Sequence, residues 1–306
     1  MKFLSLLAVL LLEQLRPLRA GNPVHVAYQR YAALLERQLN AGEHHHGLVA
    51  WLLAVAPPVI VTMLVYHLLS ELSTPLAWVF NVVVLYVAIG FRQFSHNFTR
   101  ILHALREGDL ASARSTLSRW REQTSDEFTA SELARVSIEL ALIGAHRQVF
   151  GPIVCFLVLG PAGAILYRTS AMLSEIWGRS RDPEFGDFGL FSQKFFYWLD
   201  WLPARLTAAS FAVVGNFEDA VYCWRTQALA WARGAHGLIL ASGGGAIGVR
   251  LGNPLHQGGS MHFRPELGTG EEADIDYMQS AVGLIWRALV LWMFLVFIVT
   301  VAHSLS

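Results

Sequence analysis

Apolar and polar positions alternate on the scale of whole helices, dividing the chain into long apolar runs separated by segments that hold most of its charge. About 20 apolar residues let an α-helix cross roughly 30 Å of hydrocarbon. Residues 48–69 meet that length, and Pro57-Pro58 near the middle predict a kink, because proline lacks the backbone donor and crowds the preceding turn. Residues 75–91 follow after a short link and predict the second arm of a helical hairpin. Residues 149–167 contain Pro152, Gly160, Pro161 and Gly163, which predicts a broken or re-entrant helix. Residues 281–303 form the strongest apolar run. Residues 202–214 are short and hold Arg205, so they predict a re-entrant or interfacial piece.

The polar segments set the orientation. Arg92, Arg100, Arg106, Arg114, Arg119, Arg121, Arg135 and Arg147 follow the hairpin, while the 70–74 link has no basic residue; the positive-inside rule places 92–148 in the cytoplasm. Within it, Gly108 and Asp109 predict a helix stop followed by a cap for a helix over 110–120. Residues 131–143 carry Leu133, Val136, Leu140 and Ile143 on one helical face. At the start, Lys2 and the apolar 3–12 resemble a signal peptide. Glu13, Arg16 and Arg19 end that run without a small-residue cleavage site, which predicts an uncleaved amphipathic or partly inserted helix.

The expected fold is therefore an all-α polytopic membrane protein with about four transmembrane or re-entrant helices plus amphipathic cytoplasmic helices. Its single domain divides into an amphipathic N-terminal segment (1–47), a hairpin (48–91), a cytoplasmic helical segment (92–148), a broken helix with a Gly/Arg-rich region (149–280) and a C-terminal transmembrane helix (281–303). Composition agrees: 15% of residues are charged, against roughly 25% in soluble domains. A net charge of zero argues against nucleic acid as a partner. The bilayer is the expected partner, self-association stays open, and Cys155 and Cys223 make neither a disulfide framework nor a CxxC site.

Candidate chemistry concentrates late in the chain. Between Ser242 and Gly252 stand five glycines and Arg250, and Arg264 follows. So many glycines make a poor packed helix, and they allow backbone N–H groups to approach an anion. The expected ligand site combines Asp200, Arg205, Gly245, Gly248, Arg250 and Arg264, and its ligand is an anionic small molecule. Asp200 and Arg205 flank Pro203, and a buried ion pair is an equal reading to ligand binding. Glu218-Asp219, Glu271-Glu272, Asp274 and Asp276 read as caps or turns, and His44-His45-His46 as an exposed loop rather than a metal site. No Walker A, GxSxG or HExxH string occurs.

IGFR at 89–92, ALREGDLASAR at 104–114, LGPAGAILYR at 159–168, DWLPARLT at 200–207, GAIGVRLG at 245–252 and RPELG at 264–268 resemble successive blocks of the CobD/CbiB family, in the family's order. The resemblance implies a polytopic inner-membrane protein of cobalamin biosynthesis, adenosylcobinamide-phosphate synthase. That enzyme uses ATP, with Mg²⁺, to join a carboxyl group of adenosylcobyric acid to an aminopropanol or its phosphate ester. The N-terminal half is more similar to AmpE, a related membrane protein linked to β-lactamase regulation and envelope signalling.

Departures from the enzyme's pattern weigh on this choice. The family's acid-amide run before its Ala-Pro span is replaced by LIGAHRQ at 142–148, where carboxylates have become Ile143 and Arg147. Its Asn-Thr-Leu-Asp becomes AMLS at 171–174, and its Asp-Asp becomes Phe196-Tyr197, with Asp200 replacing an asparagine. Its Asn-Ala-Gly-Trp becomes AHGL at 235–238. Amide formation with ATP needs carboxylates for Mg²⁺ as well as arginines or backbone amides for phosphate. The expectation is a non-catalytic, AmpE-like protein of envelope sensing that keeps an anion pocket and has an envelope-signalling partner. The alternative is the synthase, with its acids drawn from Asp126, Glu139 or Glu175, and only then ATP and Mg²⁺ as cofactors.

Overall fold

Low charge over long stretches becomes helix almost throughout. The structure, a computed structural model, describes residues 2–16, 23–40, 44–179, 187–231, 234–257 and 259–305. Two units emerge: residues 1–90, 147–203 and 300–306 form the first, residues 91–146 and 204–299 the second. Three helical stretches are long and apolar enough to cross a membrane, His46–Leu72, Ala130–Leu159 and Ile275–Ala302, among the described residues. The protein is thus an all-α polytopic membrane protein with a small β addition.

The first unit contains α1 (Lys2–Leu15), α2 (Pro23–Leu39), α3 (His44–Leu72) and α4 (Thr74–Ala88). His44–His46 open α3 and are not the predicted loop. Pro57 and Pro58 lie inside α3 and leave the carbonyls of Leu53 and Ala54 without their helical donors. Both carbonyls are met from α2: Tyr31 Oη donates to Leu53 O at 2.9 Å and Tyr28 Oη to Ala54 O at 3.4 Å. Two tyrosines one helical turn apart thus replace the donors that the two prolines lack. Trp51 anchors the core beneath, 4.1 Å from the Phe195 ring and 5.5 Å from Phe191, centroid to centroid.

Residues 130–159 are one helical rod made of α7 (Ala130–Ala145), a π-helical turn (His146–Phe150) and α8 (Gly151–Leu159). The rod corrects two expectations. The membrane-length stretch begins at Ala130, not at 149, and the segment 92–148 is not uniformly a polar cytoplasmic one. Glu132, Arg135 and Glu139 on it are buried and Arg147 is half-buried, so its charges do not break its length as a membrane-long helix. The predicted break falls at Gly160 (φ +70°), after which α9 (Pro161–Arg179) runs back beside α8. Gly151 makes this hairpin possible, since a Cβ there would lie 2.1 Å from the Tyr167 ring.

Residues 202–214 are no re-entrant piece; they complete α10 (Leu190–Val214), a continuous helix with Pro203 inside it. Its buried positions include Ser192, Asp200, Thr207 and Ser210, while Tyr197, Trp198, Trp201, Leu202, Leu206 and Val213 are exposed. Its buried face mixes these polar residues with Phe196 and Phe211, and its exposed face carries large apolar side chains beside Gln193 and Lys194.

The second unit opens with α5 (Phe91–Arg106) and α6 (Leu110–Arg121). Gly108 (φ +74°) ends the first, and Asp109 accepts from Ser112 N at 2.9 Å to cap the second, as predicted. Thr129 and Glu132 close a reciprocal capping box at the start of α7. After α11 (Phe217–Gln227) comes α12 (Gly234–Ile247), which overturns the reading of the glycine stretch as a loop. Gly243, Gly244 and Gly245 are buried inside α12, and a Cβ on Gly245 would stand 2.6 Å from Asp219 O of α11. The missing side chains allow close packing, which offsets glycine's low helix propensity.

The chain then forms β1 (Val249–Leu251), β2 (Leu255–Gln257), β3 (Ser260–His262), β4 (Leu267–Gly268) and β5 (Glu271–Glu272). Strand β1 lies between β4, antiparallel, and β5, parallel; β2 and β3 make a separate hairpin. Asp274 Oδ1 accepts from Asp276 N and Tyr277 N, both at 2.9 Å, and starts α13 (Ile275–Leu305).

Removing one phenolic donor orphans a helix carbonyl. Tyr31→Phe is expected to lower stability by about 1 kcal/mol and Tyr28→Phe, with its longer bond, by less; thermal melts of the detergent-solubilised protein check the order.

Candidate functional site

The site of the second unit is built on one face of α7. Glu132, Arg135 and Glu139 recur at helical spacing and are almost fully buried. Burying charge is costly unless each group is paired and hydrogen-bonded. Glu139 is satisfied completely: its Oε1 accepts from Gly252 N at 2.9 Å and Arg264 Nη2 at 3.0 Å, and its Oε2 accepts from Arg264 Nη1 at 2.7 Å. Arg264 also donates to Asn253 O at 3.1 Å and Gly252 O at 2.6 Å, and lies 5.5 Å from the Trp231 ring centroid. This bidentate pair ties residues 252–264, including the β2–β3 hairpin, to α7.

The same face holds further contacts. Glu132 accepts from Thr129 N at 2.8 Å and His256 N at 3.2 Å, and Arg135 Nη2 donates to Pro254 O at 2.8 Å. Gly252 (φ +72°) permits the close turn, because a Cβ there would stand 2.0 Å from Pro265 O. Arg121, at the end of α6, lies 5.0 Å from the Phe128 ring centroid. Burial, together with the charge of Arg264, pulls its pKa below the ordinary arginine value, and Glu139 acts in the opposite direction.

The predicted site residues divide between the units. Gly245, Gly248, Arg250 and Arg264 lie in the second unit, as does Arg205, while Asp200 belongs to the first. Gly245 packs against α11, and Gly248 (φ +71°) terminates α12 with its N–H 3.3 Å from Gly245 O. A helix C-terminus presents carbonyls and the negative end of its dipole. An anion cradle of glycine N–H groups is therefore not formed at this point. Arg250 sits in β1 opposite Gly268 and Glu272, and its buried Nε has no hydrogen-bond partner among the described residues.

Asp200 belongs to a second polar cluster. It accepts from Tyr167 Oη at 2.7 Å, with both side chains buried. Arg147 pairs with Glu175 and lies 5.4 Å from the Phe196 ring centroid. Arg168 Nε donates to His25 Nε2 at 3.1 Å, a bond that needs neutral imidazole. Burial first, and the Arg168 charge second, pull the His25 pKa to about 4. In the second unit His146, which opens the π-helical turn, lies 3.0 Å through Nδ1 from Thr207 Oγ1.

Sequence reasoning missed Glu132, Arg135 and Arg121, and named Glu139 only as a substitute acid. The signal was present as polar residues at helical spacing on α7, but the apolar stripe from Leu133 to Ile143 dominated the pattern. Among the described residues no group of three or more His, Cys, Asp or Glu side chains is placed to hold a metal ion. Both oxygens of Glu139 are occupied, by Arg264 and by Gly252 N.

A family model described as CobD/Cbib protein matches residues 6–285. A cobalamin biosynthesis protein CobD from Stutzerimonas stutzeri is 34% identical over 95% of this chain and 95% of its own length. One of the same name from Chromobacterium violaceum is 34% identical over 80% of this chain and 73% of its own. A third, from Clostridium perfringens, is 23% identical over 74% of this chain and 73% of its own. No solved structure matches. These relatives overturn the AmpE-like signalling expectation, because likeness to proteins named for cobalamin biosynthesis extends over nearly the whole chain.

Two outcomes follow from this geometry. Arg264→Ala strands Glu139 as a buried unpaired charge and is expected to cost roughly 3–5 kcal/mol, whereas replacing both with apolar residues of similar volume costs much less; denaturant melts of the single and paired variants compare them. His25 binds protons less readily folded (about 4) than at its ordinary 6.5, so its contribution is lost as pH falls from 6.5 toward 4. Across that window the melting temperature should fall less steeply in His25→Gln than in the wild type.

Proposed function

Because the chain belongs to the CobD/Cbib family, we propose that it is an adenosylcobinamide-phosphate synthase of the bacterial inner membrane. It joins a carboxyl group of adenosylcobyric acid to the amino group of an aminopropanol or its phosphate ester, with ATP consumed as co-substrate. The new bond is C–N; the carboxyl oxygen leaves with a phosphoryl group, and the amine gives up a proton.

The observation that carries this reading is the meeting of two family-like blocks on a buried acid. The 245–252 and 264–268 blocks come together at Gly252 and Arg264, and Glu139 binds both. A site with its arginines fixed in advance avoids the reorganisation that catalysis on charged groups would otherwise need.

A strain lacking its own synthase, grown on cobyric acid under a cobalamin requirement, tests the reading. Expression of this protein is expected to restore growth. Failure to do so, with the intact protein detected in the membrane fraction, would sink the assignment.

A further inference from the structure

Helices α5 and α6 enclose a cleft of about 290 Å³ that the synthase reading does not use. Along α5 its wall is one stripe at helical spacing, His96, Arg100, His103 and Glu107. Asp109, at the corner between the two helices, closes the end. The stripe faces outward because the opposite face of α5, with Phe94, Phe98, Ile101, Leu102 and Leu105, is buried. The side chains of His96, Arg100, His103 and Glu107 have no hydrogen bond or ion pair among the described residues, whereas Asp109 already caps α6.

An exposed charged stripe by itself is only solvated. This one is folded into a cleft and sorted by charge, with two imidazoles and a guanidinium toward one end and two carboxylates at the other. The cleft also has a direction relative to the apolar part of the α7–α8 rod. Phe94, near the start of α5, packs on Gly144, where an added Cβ would lie 3.0 Å from the Phe94 side chain. Beyond Gly144 the rod carries Arg147 and then no charged residue as far as Leu159. At the opposite end, Arg114 Nε of α6 donates to Phe128 O at 2.9 Å, just before α7 begins. Helix α5 therefore runs away from the apolar end of the rod, with His96 and Arg100 nearer to it and Glu107 and Asp109 farther.

A ligand that meets both ends carries a negative group toward the bilayer and a positive one farther out. An ethanolamine phospholipid has that order: its phosphodiester is attached to the acyl-bearing glycerol, and its primary ammonium lies beyond. Arg100 and Glu107 are about 10 Å apart along the helix axis at 1.5 Å per residue, a gap that two long side chains can close on one headgroup. Phosphate oxygens suit the guanidinium and imidazole N–H donors, and a carboxylate accepts from the ammonium. We propose that the α5–α6 cleft binds the headgroup of a phosphatidylethanolamine-type lipid, with phosphate at His96, Arg100 and His103 and ammonium at Glu107. Basic pockets beside membrane-spanning helices recognise lipid headgroups in this way. The inference is independent of the reaction proposed above.

Native mass spectrometry of the full-length protein tests it, with release from micelles that hold equimolar phosphatidylethanolamine, phosphatidylglycerol and phosphatidylcholine of identical acyl chains. The ethanolamine lipid is expected to be retained over the other two, since the glycerol headgroup lacks the cation and the choline headgroup lacks N–H donors. Arg100→Ala and Glu107→Gln should each lower that retention about threefold, the scale of one solvent-exposed ion pair. Arg106→Ala, exposed on α5 but outside the cleft, should leave it unchanged. The proposal is overturned if the three lipids are retained alike or another is preferred. It is also overturned if Arg100→Ala and Glu107→Gln retain the ethanolamine lipid as the wild type does, or if Arg106→Ala loses as much as they do. Binding of soluble phosphoethanolamine without retention of the lipid overturns it too, since the cleft then serves a free phosphate compound. Growth on cobyric acid reads the synthase assignment alone, so either proposal can fail without the other.

Discussion

The Glu139–Arg264 pair is the constraint on which the second unit turns. A carboxylate buried on a membrane-length helix cannot stay charged without full compensation, and a bidentate guanidinium plus one backbone N–H supplies it. Meeting that requirement draws Gly252, Asn253 and Arg264 onto α7. Without the pair, a polar segment rich in glycine would have little apolar surface with which to fold.

The same economy governs the first unit in neutral form. Two adjacent prolines in α3 orphan two carbonyls, and the hydroxyls of Tyr28 and Tyr31 meet them. The Tyr167–Asp200 and Arg147–Glu175 contacts add charged groups that are likewise paired. Apolar side chains cover much of the outside of α3, α10 and α13, so specificity inside comes from pairing polar groups. In lipid the apolar exterior supplies little drive for helix association.

Glycine carried the most information and was also the most misleading residue type. The 243–245 cluster looked like a ligand-binding loop because glycine frees the backbone, but glycine also removes bulk. In α12 the second property dominates: α11 approaches so closely that any Cβ on Gly245 would strike Asp219 O. Which property a glycine serves depends on what faces it, and a single sequence does not contain that neighbour. Arg250, three residues past the end of the helix, keeps the interest that the cluster first drew, for a different reason: its buried Nε lacks an acceptor among the described residues.

Sequence alone determined what is set by local periodicity and composition: the membrane class, the hairpin of α3 and α4, the break at Gly160, the Gly108–Asp109 corner, the C-terminal span and the resemblance to CobD/CbiB proteins. Each follows from residues close together in the chain, or from blocks in a fixed order. Only the tertiary structure decided that 130–148 continues into a membrane-length helix, that α10 is continuous, and that Glu139 meets Arg264 across 125 positions. Those outcomes depend on partners that bury and neutralise charge. A charged residue on an apolar helix reads as an interruption until the group that compensates it is in place.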